Sequence, residues 1–443
     1  MPSDHRLASL AEIAVDVPNA IAAGPFGSNL VSRDYVESGV PVIRGQNLVG
    51  RWLAGDFVYV SEVKAHQLRA NTARPGDIVF TQRGTLGQVS VVPTHPFRSY
   101  VVSQSQMKLT VDRRKADPRF VYYACTSSDF VAQVLNNAVA AGVPHINLGI
   151  LRGLRVPLPT MSRQVEVADI LSSLDDRIDL LRQANVTLES IARVLFKSWF
   201  IDFDPVRAKV EGREPEGMDA ATAALFPAEF EESSLGLIPK GWRAGSLSEL
   251  ADLNARSWTT RRAPTEIAYV DLAGVKCNVF DTPQRYMFVD APSRARRELR
   301  VGDTLVGTVR PGNRSFGFIA QSELGLTGST GFAVLSPRDA VAAPFIYLCA
   351  TRDENIERLS SLADGGAYPA VRPELVLNTS CTLPPDVVIT AFSSIAEPLM
   401  NAVAANTARA RVFAELRDTL LPRLISGRLR LPEAREQMEE VLA

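Results

Sequence analysis

The side chains with chemistry to offer are amides, hydroxyls and guanidinium groups gathered in glycine-broken loops. After the apolar run Asp77–Phe80 comes Thr81-Gln82-Arg83-Gly84-Thr85-Leu86-Gly87-Gln88, and Val309-Arg310-Pro311-Gly312-Asn313-Arg314-Ser315 takes the matching place in the second half. Further clusters are Arg44-Gly45-Gln46-Asn47, Ser103-Gln104-Ser105-Gln106, the stretch from Asn254 to Arg262, and the basic run Arg294, Arg296, Arg297 and Arg300. Gln and Asn pair bidentately with adenine and Arg with guanine, while glycine lets backbone approach a phosphate. On that chemistry the DNA-contact candidates of the first half are Arg44, Gln46, Asn47, Gln82, Arg83, Thr85, Gln88, Gln104 and Gln106. Those of the second are Arg256, Arg261, Arg262, Arg310, Asn313 and Arg314. Taken singly, each such residue more often serves a turn or a solvated surface. Their concentration in loops is what points to nucleic acid.

Catalytic signatures are missing. There is no GxxxxGK[ST] loop, strand-linked GxGxxG, GxSxG elbow or HExxH pair. The (N/D)PP(Y/F) tetrapeptide of an amino-methyltransferase is absent too, since Leu383-Pro384-Pro385-Asp386 lacks both ends. Cys125, Cys277, Cys349 and Cys381 are far apart, as are His5, His66, His95 and His145, so no metal site and no disulfide framework is expected. The formal charge of −1 argues against a chain that coats nucleic acid over its whole surface, but leaves room for local basic faces. No run of eighteen apolar residues and no signal-peptide pattern is present, which predicts a cytoplasmic protein with no membrane partner. A chain of this kind is expected to bind rather than to react.

The elements that must position these loops are of two kinds. Residues 1–160 show short β-like runs (40–43, 77–80, 88–92, 106–111) and a helix expected at Pro118–Asn136, a mixed α/β domain. Residues 161–204 then carry apolar residues at Val167, Leu171, Leu174, Ile178, Leu181, Leu188 and Leu195, with Asn185 and Ala192 in the same register. Steps of 4 and 3 make this a heptad seam. Such a helix of about forty residues is roughly 60 Å long, so it needs a long partner. Prolines at 205, 215, 227 and 239 mark 205–240 as a linker with one short helix. A second α/β region spans 241–385. A second long helix at 386–430 runs through Phe392, Ile395, Leu399, Val403, Asn406, Ala410, Phe413, Leu416 and Leu420, with a late start or kink expected at Pro398 and a bend at Pro422. An acidic tail follows at 431–443.

The two halves repeat at a constant offset. Arg74-x-Gly76-Asp77 recurs as Arg300-x-Gly302-Asp303, Leu109-Thr110 as Leu335-Ser336, Pro118 as Pro344 and Pro159 as Pro385, all 226 residues apart. One offset held in the same order means a tandem duplication of domain plus long helix. The fold class expected is α+β, with two tandem mixed α/β domains related by a pseudo-twofold. The two long helices would pair as an antiparallel coiled coil. Asn185 and Asn406, both on the seams, either bond to each other and set register or are tolerated polar positions. Two reading domains on such a rod would contact half-sites about one helical turn apart, in an asymmetric bipartite site.

The chain resembles the specificity (S) subunit of type I restriction-modification systems. The resemblance is carried by GPFGSNL at 24–30, VPVIRGQNL at 40–48, GDIVFTQRGTLGQVSVV at 76–92 and PLPTMSRQVEVADILSSLDDRIDLL at 157–181. LFKSWFIDF at 195–203, GLIPKGW at 236–242 and LRDTLLPRLISGRL at 416–429 extend it. It implies two target-recognition domains, each reading half of a split site in double-stranded DNA. It also implies helices that dock two methyltransferase (M) subunits holding S-adenosylmethionine, no cofactor in this chain, and restriction (R) motor-nuclease subunits joining the complex. The second half lacks a close copy of GPFGSNL, and VGTVRPGNR repeats FTQRGTLG only loosely. Two other readings make different predictions. A self-contained DNA-modifying or nuclease protein would bind S-adenosylmethionine or cut DNA alone, and a coiled-coil scaffold would shift no duplex.

Overall fold

The computed structural model describes residues 6–139, 142–366 and 368–442. Its packing divides the chain into two compact units, Met1–Leu180 with Arg409–Ala443, and Leu181–Ala408.

In the first unit, strands Ile21–Ala23, Gln106–Leu109, Ile78–Thr81 and Val89–Val91 pair antiparallel in that spatial order. A second sheet has the order Tyr35–Val36, Val58–Val60, Val40–Ile43, Tyr100–Val102, Thr72–Ala73, with 40–43 and 100–102 parallel. Val40–Ile43 and Ile78–Thr81 are apolar or nearly so at every position, because all four residues of each are buried.

The second unit repeats this plan. Ala251–Leu253, Phe332–Pro337, Thr304–Gly307 and Phe316–Phe318 form the matching sheet in the matching order. Glu266–Val270 and Leu326–Ser329 form the matching parallel pair. The Arg-x-Gly-Asp signature makes the same turn twice. Gly76 and Gly302 both sit at φ 89, a left-handed conformation that favours glycine, and the Asp carboxylates accept from Arg74 N (3.0 Å) and Arg300 N (2.8 Å).

The helix expected at Pro118–Asn136 is two helices, Pro118–Thr126 and Ser128–Asn136. Ser127 adopts an extended backbone between them and its hydroxyl caps the second helix. Ala343–Thr351 and Asp353–Ser361 break the same way at Arg352.

Two helices of 40 residues, Met161–Phe200 and Asp386–Ile425, carry the domains. They run antiparallel, since partner numbers fall along one helix as they rise along the other. In the first unit Arg163 donates to Leu429 O (3.2 Å) and Arg417 pairs with Asp175 (2.6 Å), while Val167, Leu171, Leu174, Ile178 and Leu420 are buried. In the second, Asn406 Nδ2 donates to Asn185 Oδ1 (3.0 Å), and Phe196 and Phe200 face Phe392. Leu195 and Leu399 pack at the edge of that core; Val403 and Phe413 are buried; Leu181 and Leu188 are half-buried.

Several expectations are corrected. The second long helix begins at Asp386 and runs through Pro398, where the missing N–H costs less than losing the buried Val388, Ile389 and Phe392. Ile395 lies 42% exposed and Ala396 is buried instead, so the seam there is displaced by one position. By length and apolarity this helix passes as a membrane span, but 39% of its most apolar window is buried within the protein. Residues 205–240 hold more regular structure than the one short helix expected. They form helices Asp204–Val210 and Ala220–Ala224 and a hairpin, Phe230–Ser233 with Gly236–Pro239. Val206, Phe226 and Ile238 enter the same core as Trp199, Phe200 and Trp242. The acidic tail is a helix, Leu431–Leu442, held by buried Ala434 and by Arg435 facing Glu166 at 3.6 Å.

Candidate nucleic-acid interface

Five segments of the first domain are joined by backbone hydrogen bonds. Ser103 N donates to Ile43 O (3.1 Å), Gln82 N to Ser105 O (2.7 Å), Gly24 N to Gln106 O (3.0 Å) and Ile146 N to Gln82 O (2.9 Å). The backbone thus stitches 24–30, 44–47, 82–88, 103–106 and 144–147 into one surface.

Within it the candidate side chains divide. Arg83, Thr85 and Gln46 are exposed, although Gln46 Nε2 also donates to Asp56 O at 3.1 Å. Arg44 and Gln82 are half-buried; Arg44 Nε and Gln82 Oε1 are buried with no partner among the described residues. The rest are braces. Asn47 is fully buried, accepting from Arg44 N (2.9 Å) and donating to Ala54 O (3.0 Å) and Asp56 O (3.1 Å). Both of its N–H donors are engaged inside the protein. Gln106 is 1% exposed and accepts from Ser103 Oγ. Gln88 accepts from Thr81 Oγ1 (3.0 Å) and faces Leu48 O. Gln104 is exposed, but its Nε2 donates to Gly27 O (2.7 Å) and Leu30 O (3.0 Å), fixing the 24–30 loop.

The second domain divides likewise. Arg261, Arg262 and Asn313 are exposed. Arg310, at φ 48, lies 5.1 Å over the exposed ring of Tyr368, and its N–H donates to Pro369 O (2.7 Å). Arg256 is not a surface cation: its Nη2 pairs with the fully buried Asp303 at 3.2 Å and reaches Ser336 Oγ at 3.3 Å. Burial raises the Asp303 pKa, and Arg256 pulls against that rise. Arg314 pairs with Asp353. The basic run is partly engaged within the protein as well. Arg296 stacks on Phe288 (4.9 Å), burial lowers the pKa of Arg297, and Arg300 pairs with Glu298 (2.7 Å).

Each domain is tied to the long helices by polar groups. In the first unit Tyr123 Oη donates to Asp175 (2.7 Å), which also holds Arg417, and Arg51 pairs with Asp176 (2.7 Å). Burial, then Asp175, raises the Tyr123 pKa. In the second, Asn278 Nδ2 donates to Glu189 (2.7 Å), whose pKa burial raises, and Arg193 lies over Phe316 and Tyr347.

Residues 33–190 match the type I restriction modification DNA specificity domain. Along most of its length the chain is 24% identical over 424 residues to the type I restriction enzyme HindI specificity subunit of Haemophilus influenzae, covering 84% of this chain and 90% of that one. It is 22% identical to the MjaIX specificity subunit of Methanocaldococcus jannaschii, covering 93% and 92%. The chain is thus similar to type I specificity subunits along nearly its whole length. The fold agrees: the S subunit from M. genitalium superposes with a TM-score of 0.53 at 16% identity over 96% of both chains. In specificity-subunit terms, the matched stretch takes in the 44–47, 82–88 and 103–106 loops and the start of the first long helix.

Two side chains of this surface escaped the sequence reading, Phe26 and Tyr368, which are 83% and 74% exposed. A signal existed for the first: an aromatic residue set between Gly24-Pro25 and Gly27 in an otherwise polar loop. Nothing in the sequence ties Tyr368 to Arg310.

Proposed function

We propose that this chain is the noncatalytic DNA-specificity subunit of a type I restriction-modification complex. Each domain reads one half of an asymmetric bipartite site in double-stranded DNA, and the antiparallel helices act as spacer and as seat for two methyltransferase subunits. Those subunits would supply S-adenosylmethionine, this chain would hold no cofactor, and restriction motor-nuclease subunits would join the same complex in the cytoplasm. One observation carries the reading. The same strand order occurs twice, each time presenting its own polar loops, on a helix pair shared by both domains. Two different readers on one frame fit a split, asymmetric target. Arg83 and Thr85 supply exposed donors in the first domain, and Arg261, Arg262, Arg310 and Asn313 in the second.

The decisive experiment assembles the purified chain with its cognate methyltransferase subunits and maps methylated bases. One bipartite motif should appear with the complex and none with either component alone. Methylation or cleavage by the lone chain would overturn the reading.

A further inference from the structure

We propose that Phe26 is a stacking wedge that enters the duplex at the first half-site and unstacks a base step. The inference rests on the DNA-specificity reading and assigns this surface a contact that reads no base edge.

Phe26 is 83% exposed, yet its loop is held at both ends. Pro25 and Leu30 are buried, and Gly24 N donates to Gln106 O at 3.0 Å. A Cβ at Gly24 would lie 1.9 Å from Ser103 O, so only glycine permits this close approach of the two loops. Gly27 turns the chain at φ 58, Asn29 N donates back to Phe26 O at 3.2 Å, and Gln104 clamps Gly27 O and Leu30 O. The ring is therefore presented to solvent by a fixed scaffold. A loop backbone held in this way has little further conformational freedom to lose on binding.

Its surroundings decide what it meets. Gly27, Ser28 and Asn29 beside it are exposed, as are Arg83 and Thr85 on the loop stitched to Ser105. A protein-docking patch is a contiguous apolar area. Here a single ring stands beside small hydroxyl and amide groups, and the loop that carries the exposed Arg83 is hydrogen-bonded to the same 103–106 segment. Polar groups for phosphates around one apolar wedge is the pattern of proteins that kink or unstack DNA, and the face of a base is the apolar surface such a ring fits.

The test uses the full chain assembled with its methyltransferase subunits, on duplexes carrying the motif mapped by methylation. Permanganate reactivity of thymines and fluorescence of 2-aminopurine, placed in turn at each purine, report unstacking. Beyond the bases that are methylated, which the methyltransferase subunits themselves unstack, one further step in one half-site should light up with the unaltered chain. F26A should abolish that signal and weaken binding about tenfold, leaving subunit assembly and the other half-site unchanged, and F26W should retain the signal. Selective binding with no unstacking outside the methylated bases, or unstacking at that further step that survives in F26A, overturns the wedge while leaving the specificity reading intact. Loss of subunit assembly in F26A without DNA would overturn it in favour of a protein contact. A complex that binds no duplex selectively overturns both.

Discussion

Arg256 and Arg83 look alike in the sequence, each an arginine among small and polar loop residues, and the structure places them differently. Arg83 is exposed on the stitched loops, whereas Arg256 reaches a carboxylate 47 residues away that is wholly buried. The first domain meets the same need differently, with Lys108 Nζ (3.2 Å) and Thr110 Oγ1 (2.7 Å) on Asp77. Removing Arg256 strands a buried charge, so R256A should lose about 3 kcal/mol of stability in denaturant melts while any folded protein keeps its base choice. The sign with pH follows from Asp303. Burial already raises its pKa, and loss of Arg256 raises it further, so the defect is full above that pKa and shrinks as acid protonates the carboxyl. A defect that deepened on acidification would refute the assignment. R83A should instead leave stability unchanged and alter methylation only of motifs varied in the first half-site. Equal loss across all motifs would make Arg83 a phosphate contact.

Among the elements, the seam of the first long helix was legible because its 4-3 spacing is local. So was the duplication, because one offset recurs. The second helix was less so: between Val388 and Met400 its burial answers to the core of the second domain, including Phe196, Phe200 and Phe345, and not to a pairing seam alone. The packing of 205–240 was not legible for a related reason, since prolines announce a break in local regularity but not whether an isolated Val206, Phe226 or Ile238 finds a core. At the interface, loop amides proved mostly braces, because a buried Asn or Gln must satisfy its own donors before it can offer them outward. The asparagine pair gives this scale its prediction. Asn185 Nδ2 faces Val403 O (3.2 Å) and Thr407 Oγ1 (3.1 Å), while its Oδ1 accepts from Asn406. N185L alone should cost about 1–2 kcal/mol, because it leaves Asn406 and Thr407 short of partners. N185L/N406L should recover most of that loss, giving a coupling above about 0.5 kcal/mol in a double-mutant cycle. Additive effects would show that the two amides do not act as a pair.

For the whole molecule, the shared helices make a prediction about length. The first domain is seated on the first long helix near Asp175 and Asp176 and on the second near Arg417, and the second domain on the first helix near Glu189 and Arg193. Both helices cross the boundary between units, at Leu180/Leu181 and at Ala408/Arg409, so residues added there lengthen the spacer without entering either domain's core. Seven residues added to both helices preserve the heptad seam and add about 10.5 Å, the rise of about 3 base pairs of duplex. Three base pairs also turn the second half-site by roughly 100° around the DNA axis, while a heptad restores the facing of the helices. The enlarged subunit should therefore methylate motifs whose unread spacer is about 3 base pairs longer, at a reduced rate because the duplex must twist to meet it, and should lose its original spacing. Insertion in one helix alone displaces one seam against the other and should abolish assembly. Methylation confined to the original spacer, by a doubly lengthened chain that still assembles, would show that something other than this helix pair sets the distance between the bases that are read.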